Sequence, residues 1–529
     1  MKIQLNILKC LGIIPLFLVQ NILLAEELTE NNLSLKSVIS RTLENSPDIY
    51  VQKKQLQSRK GNIKTARGGF DAVMSASLTG SKQQIPRTNA EITALNNANI
   101  PNEKHSSNNV SYGVGLSKKL DLGVTVGAGL SVSNTQDKFK KRLGIENQQT
   151  GTAELFVSIP LNRSFNYNIV GVDVLVAQKN YEEAYSTLIH TTSQTVLNNI
   201  VLFWDYLAKT KQLKISENSE RRMTRVYKNI KTLVIAKEIP RSELGLVLAS
   251  LTEKRSGLLS AEFDLVNARK TLGRSMGLSA KNSFALASPQ NLTFPEILPE
   301  TVKKYTAMNQ QLMEDTINQA LAQRQDLKAF GLQQDAINYQ LKNFRNEQKS
   351  NINLELSLGY AGLSEGSALL QSEELFDKTL EGPSISASIS YQKPYGSSVA
   401  KGQWITQKAS LDSLNVLIKD LEYDIAANIQ IETKNLLTSV AQLEQENISI
   451  GSYKRSLKNE HVKRNLGLST WLDIINISDR LERAQLLKIR LQQKIVISLA
   501  KLTFERGLLI EKDARDKDSF KVKYDALDY

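Results

Sequence analysis

The chain has 529 residues, 41% of them hydrophobic and only 6% aromatic, with 11 prolines and a formal net charge of +13. That length allows about three or four domains of ordinary size, and that apolar share excludes a disordered chain. The basic excess is spread along the sequence without a dense basic block or interleaved aromatics, so a solvated surface is the better reading than a nucleic-acid site.

The first element is a leader. Lys2 and Lys9 precede an apolar run from Leu11 to Leu24, and Ala25 stands before acidic residues. This is the pattern of a secretory signal peptide over residues 1–25, cut after Ala25. The alternative is an uncleaved anchor helix, but the run is short for a span of about 20 residues. The single cysteine, Cys10, would leave with the leader, so neither disulfides nor thiol chemistry is expected of the mature chain. No later stretch reads as a transmembrane helix, because charges interrupt every long helical pattern.

The remainder reads as one plan run twice, over 26–277 and 313–510. Residues 38–67 match residues 316–345 at a shift of 278, pairing Ile39 with Ile317, Asp48 with Asp326 and Arg67 with Arg345. Each copy runs into alternating segments. Ala72, Met74, Ala76 and Leu78 alternate with small or polar residues, Val73 excepted; Tyr112, Val114 and Leu116 do the same over 111–117. Further sets lie at 124–133, at 153–159, at 351–360 (NINLELSLGY) and at 385–391. Two-residue alternation predicts strands with one apolar and one wet face. A soluble sandwich would bury the apolar faces together. A small, polar opposite face, near-membrane length and the long polar loops at 81–108 and 362–382 instead suit an outer-membrane barrel with a wet interior. Six strands are too few for a water-filled barrel, since eight is only side-chain wide. Several copies must then share one.

Each strand group ends near a proline, Pro160 or Pro394, which discourages helix just before it. Long helical runs follow over 164–238 and 399–466, each on the order of 100 Å. Each breaks, at KEIPRSEL (237–244) and GLSTWLDI (467–474), and a second helix returns. The returning helices align without a gap at a shift of 230, from Lys237/Gly467 to Gly277/Gly507. On the second, Ile477, Leu481, Ala484, Leu491, Ile495 and Leu502 form a heptad-like seam, and Leu486, Ile489, Val496 and Leu499 form another stripe. Two stripes predict neighbours on two sides. Residues 278–312 link the halves, and 511–529 form a charged, loose tail.

The order of these features resembles the TolC-like outer-membrane efflux proteins over about residues 33–507. The most specific parts are SVISRTLENSPDI, DTINQALAQRQDL, SIPLNRSFNYN and NLGLSTWLDIINISD. The resemblance implies a mostly α fold with β: long antiparallel helical hairpins forming a periplasmic α-barrel, and strands contributing to a shared trimeric outer-membrane β-barrel. It implies a homotrimer in outer-membrane lipid, docked onto a periplasmic adaptor (membrane fusion) protein and an inner-membrane pump of RND or ABC type. The family's usual count is four strands per chain; six candidates give eighteen per trimer. Either the 111–133 hairpin is an addition or part of it lies outside the membrane.

The resemblance also implies a gate at the helical turns. Gly467 matches the turn glycine and Asp473 the first of two acids that narrow the entrance. Asn476 stands at the second, and Ser469 replaces an expected gate-locking arginine. Glu243 is the first-half equivalent of the acid. Asp473 would attract cations in a ring; alternatively it simply suits the first turn of a helix. Pro240, Arg241, Leu466, Gly467, Leu468 and Ser469 would meet the adaptor, or be ordinary turn residues.

No phosphate loop, HExxH or nucleotide fingerprint occurs. His105, His190 and His461 are scattered rather than clustered as a metal site needs. The expectation is a non-enzymatic exit duct of a tripartite efflux or type I secretion system, without cofactors or nucleic acid. The competing reading is a periplasmic coiled-coil spacer with no pore. An exported enzyme has no residues to support it.

Overall fold

A computed structural model describes residues 33–98, 105–138, 141, 146–163, 165–287, 289, 292–296, 299–366, 381–512 and 520–523. The expected leader, with Cys10, lies outside them. The chain divides into two compact units. One comprises residues up to Leu56, Ala184–Phe330 and the chain from Leu417; the other comprises Gln57–Glu183 and Gly331–Val416.

In chain order, α1 (Leu35–Asn45) and α2 (Pro47–Arg67) lead to β1 (Ala72–Ile85), β2 (His105–Lys119), β3 (Thr125–Asp137) and β4 (Asn147–Pro160). Then come α3 (Val172–Ile235) and α4 (Arg241–Ser275). After short helices, α5 (Gln310–Gln323) and α6 (Gln325–Glu347) lead to β5 (Asn351–Gly366) and β6 (Glu381–Gln392). The chain closes with α7 (Ser398–Asn465), α8 (Trp471–Glu505), β7 (Ile510–Lys512) and β8 (Phe520–Val522).

The outward helices α3 and α7 have 64 and 68 residues, about 96 and 102 Å of helix. Both returning helices have 35 residues. The repeat is physical as well as textual. Gly277, at φ +77°, lies so close to the Asn45 carbonyl that a Cβ would collide with it; a Cβ on Gly507, at φ +68°, would stand in tight contact with the Gln323 backbone at 3.3 Å. Asn45 and Gln323 are the last residues of α1 and α5, one repeat apart. Each glycine ends its helix in a left-handed turn, with the next N–H reaching back to Gly273 O or Thr503 O. A side chain is disfavoured at both places by conformation, and at Gly277 it is excluded by contact as well.

The two stripes of α8 enter separate cores in the first unit. Val496, Ala500 and Phe504 join Ile39, Ile200, Phe203, Leu207 and Leu272. Ile495, Leu499 and Leu502 join Ile425, Ile429, Leu436 and Ala320. Leu499 therefore belongs with the Ile495 seam rather than with Val496, as expected from sequence; a lower pair, Leu481 and Ala484, packs on Ile450.

The second unit holds the six strands as a single antiparallel meander, β1-β2-β3-β4-β5-β6. All six expected strands are present and each is longer than its apolar alternation, because the polar ends continue the ladder: Ser81 pairs with Asn109 and Gln148 with Glu365. The hairpin at 111–133 is an integral part of this sheet. The C-terminal segment expected to be loose instead carries the β7–β8 ladder, with Val522 in the main core. Phe520 and Val522 are buried while Lys521 points out, so three alternating residues suffice to dock it.

Candidate pore wall and helical turns

Register determines what each face of the sheet presents. One rung runs Met74–Leu116–Ala128–Leu155–Leu358–Ile385 across all six strands. The rungs on either side on this face include Val126–Val157–Leu356 and Val114–Leu130. These side chains are open: Met74 is 77% exposed and Ile385 82%. An apolar face of this extent, covered by none of the described residues, marks an interaction surface.

The opposite face is small and hydroxylic. Its central rung reads Ser75–Gly115–Gly129–Glu154–Gly359–Ser384. Hydroxyls bond across strands: Ser131 with Thr152 at 2.6 Å, Ser357 with Ser386 at 2.7 Å, and Ser133 donating to Asn109 at 2.7 Å. Such pairs add sheet stability at a wet surface. Phe156 is an exception on this face; its ring lies over Gly127, where a Cβ would strike it.

Tyrosines bracket the apolar band. Tyr391 pairs with Ile352 at one end, and the Leu78–Tyr112–Val132–Gly151–Gly362 rung marks the other. Ten residues separate those levels on β5, about 26 Å of height for strands tilted roughly 40°. The apolar band of outer-membrane barrels is about 25 Å tall. Among the described residues no helix is long and apolar enough to cross a membrane.

In the helical unit, the two turns share one backbone design. Gly467 lies at φ +78°, with Leu468 N–H donating to Lys463 O at 2.9 Å; Lys237 lies at φ +59°, with Glu238 N–H donating to Leu233 O at 2.9 Å. Both are Schellman closures, one with the glycine they favour and one with a strained lysine. The turns are neighbours: Ile475 and Trp471 pack with Ile230, Val247, Ile239 and Leu244. The Arg464 guanidinium covers the Trp471 ring at 4.9 Å.

Asp473 is exposed at the start of α8, but its carboxylate has a local task. Its Oδ2 accepts from the Thr470 hydroxyl at 2.6 Å and from Thr470 N–H at 3.1 Å, and its own N–H donates back to the Thr470 hydroxyl. This is a complete capping box. These hydrogen bonds, the hydroxyl's first, hold the Asp473 carboxyl below its usual pKa, with Lys463 adding to the effect. Asn476 is exposed one turn later. Glu243 is exposed in the first turn of α4, where Pro240 at the N-cap offers no side-chain cap. Arg241, Leu466 and Leu468 are exposed, and Ser469 is half-buried with its hydroxyl bonded to Thr470 O.

Sequence reasoning missed two charged clusters in this unit. Glu482, 9% exposed, accepts from Ser219 at 2.6 Å and Lys254 at 2.8 Å, and Lys254 also pairs with Asp479. The cluster ties α3, α4 and α8 together. Arg324, buried where α5 gives way to α6, pairs with Asp326 and Glu505, both at 2.6 Å, and lies over the Phe504 ring. His190 stands 3.7 Å from Asp326. Burial lowers the His190 pKa, against the pull of Asp326. The bonds from Arg324 outweigh the effect of burial on Asp326 and lower it, while burial pushes Glu505 up despite Arg324. Partners so distant in sequence, 181 residues in the case of Arg324 and Glu505, leave no local signal. Among the described residues no group of His, Cys, Asp and Glu could hold a metal ion.

No family model matches the sequence, and no curated protein matches it. Solved structures do. The Campylobacter jejuni CmeC outer membrane channel superposes at a TM-score of 0.65 with 12% identity, over 89% of this chain and 85% of that one. The Vibrio cholerae outer membrane protein VceC gives 0.62 with 12% identity, over 89% and 96%. The Neisseria gonorrhoeae MtrE outer membrane channel, in its open state, gives 0.59 with 14% identity, over 89% and 88%. The fold expected from the resemblance to TolC-like proteins is therefore the fold this chain has, that of outer-membrane channels.

Proposed function

We propose that the protein is the outer-membrane exit duct of a tripartite efflux or type I secretion system. The observation that carries this reading is the six-strand sheet. It has an uncovered apolar face about as tall as a membrane's hydrocarbon band and a hydroxyl-lined face behind it, in the fold of outer membrane channels. The apolar face meets lipid, and the hydroxylic face lines water. Three chains close one barrel, so that no unpaired backbone meets hydrocarbon. The helical hairpins extend into the periplasm and form the α-barrel.

The duct performs no catalysis; a pump of RND or ABC type in the inner membrane drives transport, and substrates pass through passively. The two turns, with Pro240, Arg241, Leu466, Gly467, Leu468 and Ser469, form the adaptor-facing surface. Asp473 contributes negative charge to the entrance as well as capping its helix, while Asn476 and Glu243 line the same end. With Ser469 where the locking arginine is expected, closure relies on contacts within the hairpins rather than on that charge.

The test is the detergent-solubilised mass of protein from outer membranes, compared on unheated and heated gels, followed by conductance in planar bilayers. A heat-modifiable trimer with a cation-preferring conductance that weakens in Asp473→Ala supports the duct. A water-soluble monomer or dimer overturns it and leaves the periplasmic spacer.

A further inference from the structure

We propose that the barrel is eighteen-stranded: each chain contributes all six strands, and the β1 edge of one copy pairs with the β6 edge of the next. The inference rests on the trimeric duct proposed above, and adds what closes it and how wide it is.

The sheet is open at both ends. Among the described residues β1 pairs only with β2, and β6 only with β5, so each presents a row of backbone donors and acceptors on its outer side. Such edges demand a partner. A second copy of this chain fits. Each neighbouring pair in the meander is antiparallel and the number of strands is even, so β1 and β6 run in opposite directions. When β6 of one copy meets β1 of the next, the new ladder is antiparallel like the other five.

The β2–β3 hairpin sits within this wall and not beside it. β2 and β3 have 15 and 13 residues, within the 12–16 of the other strands. They are bonded on both sides, and the apolar rungs cross them unbroken through Leu116 and Ala128. Their connections also follow the barrel convention of short turns on one side and long loops on the other. β2 and β3 are joined by a tight turn at 120–124, where Leu120 N–H donates to Val124 O at 2.7 Å and Gly123 takes φ +90°. That turn lies at the end of the sheet where β1 and β5 begin and β4 and β6 run on toward helices. The connections at 86–104, 138–146 and 367–380 all leave from the opposite end.

Strands about 4.8 Å apart and tilted about 40° give a backbone diameter of about 36 Å for eighteen strands, against about 24 Å for twelve. The same residue on three copies is then separated by about 31 Å, instead of about 21 Å. The area enclosed by the backbone is about 2.25-fold larger.

The experiment places a spin label at Ser77→Cys, on the hydroxylic face of β1, in a Cys10→Ser background. Distances between copies are measured in nanodiscs by pulsed dipolar spectroscopy. The expected separation, shortened equally by the inward-pointing labels in both proteins, falls by about 10 Å when residues 105–137 are deleted. Should the deletion fail to fold, cysteine pairs scanned between Met74 or Ala76 and Ile385 or Ala387 provide a second test. They must link chain to chain into a covalent trimer. A membrane-embedded trimer whose separation is unchanged by that deletion, or a Leu130→Cys that reacts with a water-soluble thiol reagent, overturns the eighteen-stranded wall and leaves the duct standing. Failure to recover any membrane-embedded trimer overturns the duct itself.

Discussion

Replacing Leu155 with arginine tests which face of the sheet meets hydrocarbon. Leu155 lies on β4 between Ala128 and Leu358 and is 58% exposed. Leu358, its partner, is six residues from the Ile352 level and four from Gly362, which puts the rung within about 3 Å of the middle of the apolar band. An arginine at the bilayer midplane costs about 2–4 kcal/mol per copy, falling to about 0–1 near the interfaces. Three copies in one barrel make that about 6–12 kcal/mol per assembly, enough to abolish a heat-stable oligomer. Ser75→Arg is the control: it sits on the other face of the sheet, one residue along from the rung of Leu155, beside Gly115 and exposed. It is expected to cost close to nothing, and Tyr391→Arg, at the rim, at most about 1 kcal/mol. Urea unfolding from lipid vesicles and the unheated oligomer band measure the series. Equal tolerance at Leu155 and Ser75 would refute the lipid-facing assignment, and a larger cost at Ser75 would invert it.

Gly277→Ala is expected to destabilise the helical unit by about 2–4 kcal/mol and Gly507→Ala by about 1–2 kcal/mol, because the Asn45 carbonyl crowds the first more closely than Gln323 crowds the second; thermal melts of the two variants should keep that order. Lys237→Gly should raise stability by about 1 kcal/mol by relieving the left-handed lysine, and an unchanged or lowered melting temperature would contradict the strain. Acidification from pH 7.5 to 5.5 should weaken the helical unit through His190. Its folded pKa is lowered, so the unfolded chain takes the proton first, and stability present above the unfolded pKa falls as pH drops through that value toward the folded one. Glu505, raised by burial, acts in the opposite sense. The comparison that isolates His190 is therefore His190→Gln, which should flatten the loss over this range; an unaltered pH profile would exclude the residue.

The strands were legible because a half-buried sheet writes its apolar face into every second residue. Their ends were not, since Ser81–Gln84 and Gln148–Thr150 are polar on both faces and are held only by the ladder. The hairpin lengths followed from the absence of proline, and the returning helices fell where the shift of 230 put them. The turn residues were located but not understood. Gly467 shows its conformation by being glycine, whereas Lys237 adopts the same one with no sign in its letter. Asp473 reads from sequence either as an entrance acid or as an acid suited to the first turn of a helix, and the threonine three residues before it makes the capping box that the structure shows. The Arg324 and Glu482 clusters join residues far apart in the chain and needed the fold to be seen.

Two open edges per chain also govern kinetics. A lone copy leaves the outer rows of β1 and β6 without backbone partners, so the sheet cannot complete itself before other copies arrive. Barrel formation is then an encounter reaction whose half-time shortens with protein concentration, while the helical unit, with its own cores, folds at a rate that dilution leaves unchanged. In the proposed duct, premature edge-to-edge pairing in a wrong number of copies is the competing path.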